Sequence, residues 1–341
     1  MSEAILAIVM NLTLAMAGAQ EATLLFAGDA MMHQAQIDAA HALAGGKGYD
    51  YSACFRPVQP LVSQADYAVV NLETPIGEKN FTGYPCFNAP VEYAEALSDA
   101  GFDLFLTANN HTLDRRDKGL RHTIAALDSL RIPHIGTYKD AEERSASIPR
   151  IVNVKGFKIG FLNYTYGTNG FTVQTDAVVD YIDREQIKRD IEATRQAGAE
   201  LIVAAMHWGE EYRLLPVASE KSLADFLVSQ GVDMVIGGHP HVVQPYEMRT
   251  NPLSGRPALV VYSLGNFISN MKTRDTRGGA LAVVKLTRDS IGNPTVSDAR
   301  YELVFTVPPR GNQSGNFVVY PIDSVPAAWR PAAAAFRSAL K

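Results

Sequence analysis

Short apolar segments recur along the chain, and stretches with one apolar face at helical spacing separate most of them. The segments Thr23–Ala27, Tyr67–Val70, Leu104–Thr107, Ile159–Leu162, Leu201–Ala205, Met234–Ile236 and Leu259–Tyr262 are rich in Val, Ile, Leu and Phe and read as buried strands. Val91–Ala100, Lys118–Ser129, Arg184–Ala197 and Ser219–Gln230 have the polar and apolar faces of surface helices. Such alternation predicts an α/β domain in which helices cover sheet layers. Ala280–Val307 reads as further strands completing a second sheet. Ala327–Leu340 reads as a short closing helix, with Pro331 working against it.

The chain has 341 residues, 47% of them hydrophobic and 20% charged, enough for a sizeable core in an ordinary soluble globular protein. Turn signals are spread evenly, without repeats or a long linker, which favours a single domain. A net charge of −5, from 31 basic and 36 acidic residues, offers no basic stripe and excludes nucleic acid as an expected partner. Cys54 and Cys86 have no metal-binding spacing; they form either one bridge or two free buried thiols.

Near the start, Ala4–Ala17 is apolar apart from Asn11 and Thr13, and Ala17-Gly18-Ala19 comes next. This reads as a signal peptide over residues 1–19, cut before Gln20, with export to the periplasm or cell envelope as its consequence. Met1-Ser2-Glu3 lacks the usual Lys or Arg; without cleavage the segment is an N-terminal helix of a cytoplasmic protein.

The residues just beyond each strand point to function. Gly28-Asp29 succeeds the first, Asn71-Leu72-Glu73 the second and Asn109-Asn110-His111 the third; His207-Trp208-Gly209 and Gly237-Gly238-His239-Pro240-His241 succeed two later ones. Ligands of open α/β sheets gather beyond the carboxyl ends of the strands, so these side chains are expected at one edge. Singly, each has an ordinary explanation: an Asp after a strand is often a helix cap, and a lone His is usually structural. Capping does not explain three histidines, a Glu and an Asn at successive strand ends.

Carboxylate and amide oxygens with imidazole nitrogens, and no thiolate, suit manganese, zinc or iron. The candidate ligands outnumber those of a closed zinc site, so two divalent ions are expected, with Glu73 able to bridge a pair roughly 3.5 to 4 Å apart. Such a pair binds a phosphoryl group and lowers the pKa of a shared water.

Over roughly Leu24–Leu286 the chain resembles the CapA-type poly-γ-glutamate capsule biosynthesis family, a branch of the calcineurin-like metallophosphoesterases. The resemblance is carried by Gly28-Asp29, Asn71-Leu72-Glu73-Thr74-Pro75, Ala108-Asn109-Asn110-His111 with Leu113-Asp114, His207-Trp208-Gly209, Gly238-His239-Pro240-His241 and Tyr262-Ser263-Leu264-Gly265-Asn266-Phe267. It implies a four-layer αββα sandwich, two mixed sheets flanked by helices, over residues 20–310, with 311–341 as a C-terminal extension packing on the same domain. It also implies Asp29 and His241 on one metal, Asn110, His207 and His239 on the other, and Glu73 between them. His111 then corresponds to the catalytic histidine that protonates a leaving oxygen.

Two positions depart from the wider superfamily. The bridging carboxylate is Glu73 where an Asp is usual, and Met31 stands where the Asp-x-His motif has its histidine. His33 either replaces that ligand or has an outer or surface role. Asn109 and Arg277 are assigned to substrate contact, on loops that otherwise read as solvated turns.

The resulting expectation is a metal-dependent hydrolase acting on an anionic substrate, either a phosphoester or the amide of polyglutamate. The competing expectation is a non-catalytic exported accessory protein that binds anionic polyglutamate during envelope or capsule assembly.

Overall fold

The computed structural model describes residues 20–309 and 315–340, so the expected signal peptide lies outside the described residues. In chain order the strands are β1 (Glu21–Ala30), β2 (Tyr67–Leu72), β3 (Leu104–Leu106), β4 (His134–Ile135), β5 (Thr137–Tyr138), β6 (Arg150–Val154), β7 (Phe157–Thr165) and β8 (Val178–Val179). They continue as β9 (Leu201–His207), β10 (Met234–Gly238), β11 (Tyr246–Thr250), β12 (Pro257–Val261), β13 (Asn266–Ile268), β14 (Gly278–Arg288), β15 (Pro294–Val307) and β16 (Val318–Pro321). One sheet has the order β16-β15-β14-β1-β2-β3-β4, with β13 also on β1; the other has β11-β12-β10-β9-β7-β6; β5 and β8 form a small ribbon.

The two-residue alternation of strand side chains builds the layers. Leu24 and Phe26 of β1 share an apolar core with Phe157, Ile159 and Phe161 of β7, Leu201 and Val203 of β9, and Met234 and Ile236 of β10. Leu25 and Ala27 face the other way, into a core with Tyr93, Ala94 and Leu97 of the helix Val91–Asp99. On the far side, Ile202, Ala204 and Met206 of β9 pack with Ile187 and Ile191 of the helix Arg184–Gln196 and with Leu223 and Leu227 of the helix Ala218–Ser229. The result is helix, sheet, sheet, helix. Central strands covered on both faces carry no polar alternation, which is why they stand out as apolar runs.

Ala280–Val307 does not complete the second sheet. β14 runs antiparallel to β1 with Leu24 opposite Val284 and Phe26 opposite Ala282, and β15 pairs with β14. These strands extend the first sheet because β1 has an open edge opposite β2, and Ala280, Ala282 and Val284 face the intersheet core beside Leu24 and Phe26. The C-terminal segment adds β16 to β15 and seats Ala333 and Phe336 of the helix Arg330–Ala339 in the intersheet core. Pro331 falls in its first turn, where a missing N–H costs nothing. Both cysteines are free thiols. Among the described residues no helix is long and apolar enough to cross a membrane.

At the edge of the first sheet, β4 carries His134, neither ring nitrogen of which has a hydrogen-bond partner. Burial pushes this imidazole down to about 4, against the opposing influence of Asp128, 3.5 Å away. A depressed folded-state value means that its stabilising contribution is complete above the unfolded value near 6.5 and is lost as pH falls toward 4. His134→Phe is expected to remove about 2.5 kcal/mol of acid destabilisation between pH 7 and pH 4.5, read from urea unfolding at those two values. Equal pH dependence in the variant and the parent chain would contradict this.

Candidate metal centre

The site lies where the carboxyl ends of β1, β2 and β3 meet those of β9 and β10. β1 changes register against β2 between Ala27 and Asp29, a bulge of the kind that re-aims a side chain at a strand end. Its backbone passes so close to Gly265 that a Cβ on Gly28 would lie 2.0 Å from the Gly265 carbonyl oxygen. A Cβ on Gly238 would come within 2.8 Å of Asp29 Oδ1. In the turn after β10, His239 and His241 both take left-handed backbone conformations, with φ of 99° and 57°, a strain typical of functional turns.

Asp29 connects the two sheets. Asn71 Nδ2 donates to its Oδ1 at 2.8 Å, while its Oδ2 lies 3.1 Å from His241 Nδ1 and accepts from the His239 backbone N–H at 3.2 Å. His241 Nδ1 is also 3.1 Å from Asn266 Oδ1. Flanked by two oxygen acceptors, Nδ1 carries the proton, and Nε2 keeps its lone pair 3.9 Å from Glu73 Oε1. His207 Nε2 lies 2.9 Å from Asn110 Oδ1 and 3.6 Å from Glu73 Oε1. Two sets of ligating atoms each fall within 4.8 Å of one another: Glu73, His239 and His241, and Asp29, Glu73 and His207. Glu73 belongs to both, as a bridging carboxylate would.

Two carboxylates this close cannot ionise independently. Burial alone would raise the Asp29 carboxyl, but its contact with His241, with His207 and Asn71 beside it, holds it below the usual range. Burial and then the charge of Asp29 push Glu73 well above the usual range. Burial, followed by the neighbouring His239, holds His207 well below its ordinary value, and burial with His241 brings His239 down to about 3. Neutral imidazoles are the form that ligates a metal. Glu73 Oε1 and His239 Nδ1 are buried without a hydrogen-bond partner, a costly state that a divalent cation would relieve. The donor set therefore fits divalent metal ions.

His111 stands beside these donors. Its Nδ1 contacts Asp114 Oδ2 at 2.8 Å, and that oxygen also accepts from the Phe87 backbone N–H at 2.7 Å. Asp114 thus fixes the ring and its tautomer, leaving Nε2 as the atom that can take up or release a proton. Phe87 packs edge-on against the ring at 4.5 Å.

The structure brings together Asp29, Glu73, Asn110, His111, His207, His239 and His241. Asn109 is not free to contact substrate: its Nδ2 donates to Leu72 O at 2.8 Å and Asn71 Oδ1 at 3.3 Å, and its Oδ1 accepts from the His111 N–H at 3.1 Å. With both ends of its amide engaged, it positions the turn that carries Asn110 and His111. Arg277 instead stacks its guanidinium 5.1 Å over the Trp329 ring. His33 stands outside both ligating sets; its Nδ1 accepts from the Asn270 backbone N–H at 3.3 Å, and its ring packs on Phe87. Roles that the sequence left unassigned belong to Asn71, Asn266 and Asp114. All three lie inside the motifs at the strand ends; Asn71 and Asn266 meet partners from other segments, Asp29 and His241, whereas Asp114 meets His111 three residues away.

Two facing sheets flanked by helices, with these residues at their strand ends, make a metallophosphoesterase-like fold. That fold is shared with the NAD nucleotidase of Haemophilus influenzae, at a TM-score of 0.55 and 14% identity over 95% of this chain and 56% of that one. The family model described as bacterial capsule synthesis protein PGA_cap matches residues 23–271, and the chain belongs to that family. The capsule biosynthesis protein CapA of Bacillus anthracis is 29% identical over 77% of this chain and 63% of its own length. The PGA biosynthesis protein CapA of Bacillus subtilis is 27% identical over 72% of this chain and 64% of its own. The chain thus spans a little under two thirds of the curated relatives it matches.

Metal binding should appear as stability. Manganese at a hundredfold excess over its Kd is expected to stabilise the chain by about 2.7 kcal/mol, and a chelator to reverse this. Glu73→Gln should melt no lower than the parent chain without metal, because it removes a buried acid beside Asp29, and should lose the manganese-induced shift. An undiminished shift in thermal melts of the variant would remove Glu73 from the donor set.

Proposed function

We propose that the chain is a metal-dependent phosphoesterase-type hydrolase working in poly-γ-glutamate capsule synthesis. The observation that carries this reading is the His111–Asp114 pair, held beside a buried donor set shared by two sheets. Asp29, Glu73, Asn110, His207, His239 and His241 would hold two divalent ions. When bound, these supply Lewis acidity toward a phosphoryl oxygen and lower the pKa of water. His111 Nε2 holds the proton delivered to the leaving oxygen, and Asp114 stabilises the charged ring before transfer. The strained turn at His239 and His241 and the Asp29 bonds fix the donors in advance, which is how such sites avoid reorganising during reaction.

The names of the Bacillus relatives support a place in capsule assembly. The apolar run Ala4–Ala17 and the small residues after it support export to the envelope. A second reading, a non-catalytic protein that binds anionic polymer during assembly, is favoured by Glu73 at the bridging position and by Met31, buried where a ligand is usual.

The deciding measurement is metal content by elemental analysis alongside turnover of phosphomonoesters and phosphodiesters with manganese, zinc or iron. His111→Ala should lower kcat by about a hundredfold or more at unchanged metal content. Asp114→Asn should lower kcat in the same direction by disturbing the tautomer. Metal-loaded protein without turnover, together with polyglutamate affinity that survives chelation, would establish the binding reading instead.

A further inference from the structure

The loops that complete the metal centre also ring it with tyrosines. Tyr84, Tyr166 and Tyr212 are 72%, 48% and 55% exposed and stand on different loops, after β2, β7 and β9. The Tyr166 ring lies 4.6 Å from that of His239 and is nearly parallel to that of His207 at 6.4 Å. The Tyr212 ring lies 6.2 Å from that of His241, while Tyr84 adjoins Phe87, the ring packed on His111. Large rings exposed in one place around a polar centre serve no core and mark a binding surface.

Two of these rings are tied to the ligand-bearing backbone. The Tyr166 N–H donates to His207 O at 3.0 Å, and the Tyr212 N–H to Pro240 O at 2.8 Å, inside the turn of His239 and His241. Tyr212 sits at φ 66°, a left-handed conformation unfavourable for a bulky residue. Its ring is therefore presented at an energetic cost that the surrounding turn sustains.

Charge on the surrounding loops narrows the ligand. The arginines there are already engaged: Arg115 with the Phe87 and Cys86 carbonyls, Arg116 over Phe171, Arg213 with Glu210, Arg274 with Asp275 and Arg277 over Trp329. Glu211 acts as a neighbouring negative charge on Glu73, Tyr166 and Tyr212. A polyanionic chain needs a row of free guanidinium or ammonium groups along its path; here Lys272 stands exposed on the loop of Arg274 and Arg277 without an ion pair among the described residues, and the rest of the rim offers aromatic faces and a carboxylate.

We infer that the substrate is a phosphoester whose alcohol carries a neutral ring lying against Tyr166 and Tyr212, in preference to a polyanionic chain such as polyglutamate. The inference rests on the phosphoesterase reading and adds its specificity determinants. Ring-on-ring contact of this kind corresponds to about a fivefold gain in affinity.

The test is calorimetric titration of the manganese-loaded full chain with phenylphosphonate, methylphosphonate and poly-γ-glutamate, none of which presents a phosphoester to be cut. Phenylphosphonate is expected to bind at least about fivefold more tightly than methylphosphonate. The double variant Tyr166→Ala, Tyr212→Ala should lose that preference while still binding methylphosphonate, and the Tyr→Phe pair should retain it. Equal affinities in the parent chain, or a preference that persists in the alanine variant, overturns the inference and leaves phosphoryl recognition standing. Failure of both phosphonates to bind overturns the phosphoesterase reading itself, whatever polyglutamate does.

Discussion

The carboxylate of Asp29 is the interaction on which the site depends. It is fully buried at the end of β1, yet it accepts from Asn71 in its own sheet and from the His239 backbone in the other, with His241 Nδ1 in contact. A buried carboxylate stays charged only with such a complement of donors. Those donors are available only if both sheets end at the same level and Gly28 and Gly238 let the backbones approach. The apolar core between the sheets brings the strand ends together, and the Asp29 bonds determine how they face one another.

Burial sets the electrostatics around this carboxylate. Burial and then the charge of Asp29 drive Glu73 toward the protonated form, while burial and mutual crowding drive His207 and His239 toward neutrality against the opposing pull of Asp29. An interior of this kind has more ligating atoms than internal partners, as the orphaned Glu73 Oε1 and His239 Nδ1 show. Local stability has been given up for a donor set suited to cations, the usual signature of a functional interior.

Much of this was legible in the sequence, for identifiable reasons. Strands covered on both faces cannot carry polar residues, so β1, β2, β9, β10 and β12 appear as apolar runs, and the residues next in the chain must face the strand ends. The ligand-type residues were found that way. Edge elements were harder to see: β6 and β11 have exposed faces and no apolar run. The sheet joined by β14 and β15 could not be read either, since pairing with β1 rather than β12 depends on which edge is open. Asn109 and Arg277 were assigned by the chemistry of their side chains, but partners decide their roles, and those partners, Leu72, His111 and Trp329, are set by tertiary packing. Asn71 and Asn266 show the reverse: amides inside known motifs whose work is to orient Asp29 and His241.

The hydrogen bonds that define the centre join remote parts of the chain: Asp29 and His241 are 212 positions apart, and His207 and Asn110 are 97 apart. Closing such long loops comes late, because their entropy must be met before the contact rewards it. A nascent chain therefore carries its histidines and carboxylates as scattered, weak donors and offers a cation no cage until the second sheet is complete. Carboxylate, amide and imidazole donors discriminate poorly among first-row ions, so metal availability sets occupancy. The identity of any ion held here would then follow the ion pool of the compartment in which folding finishes.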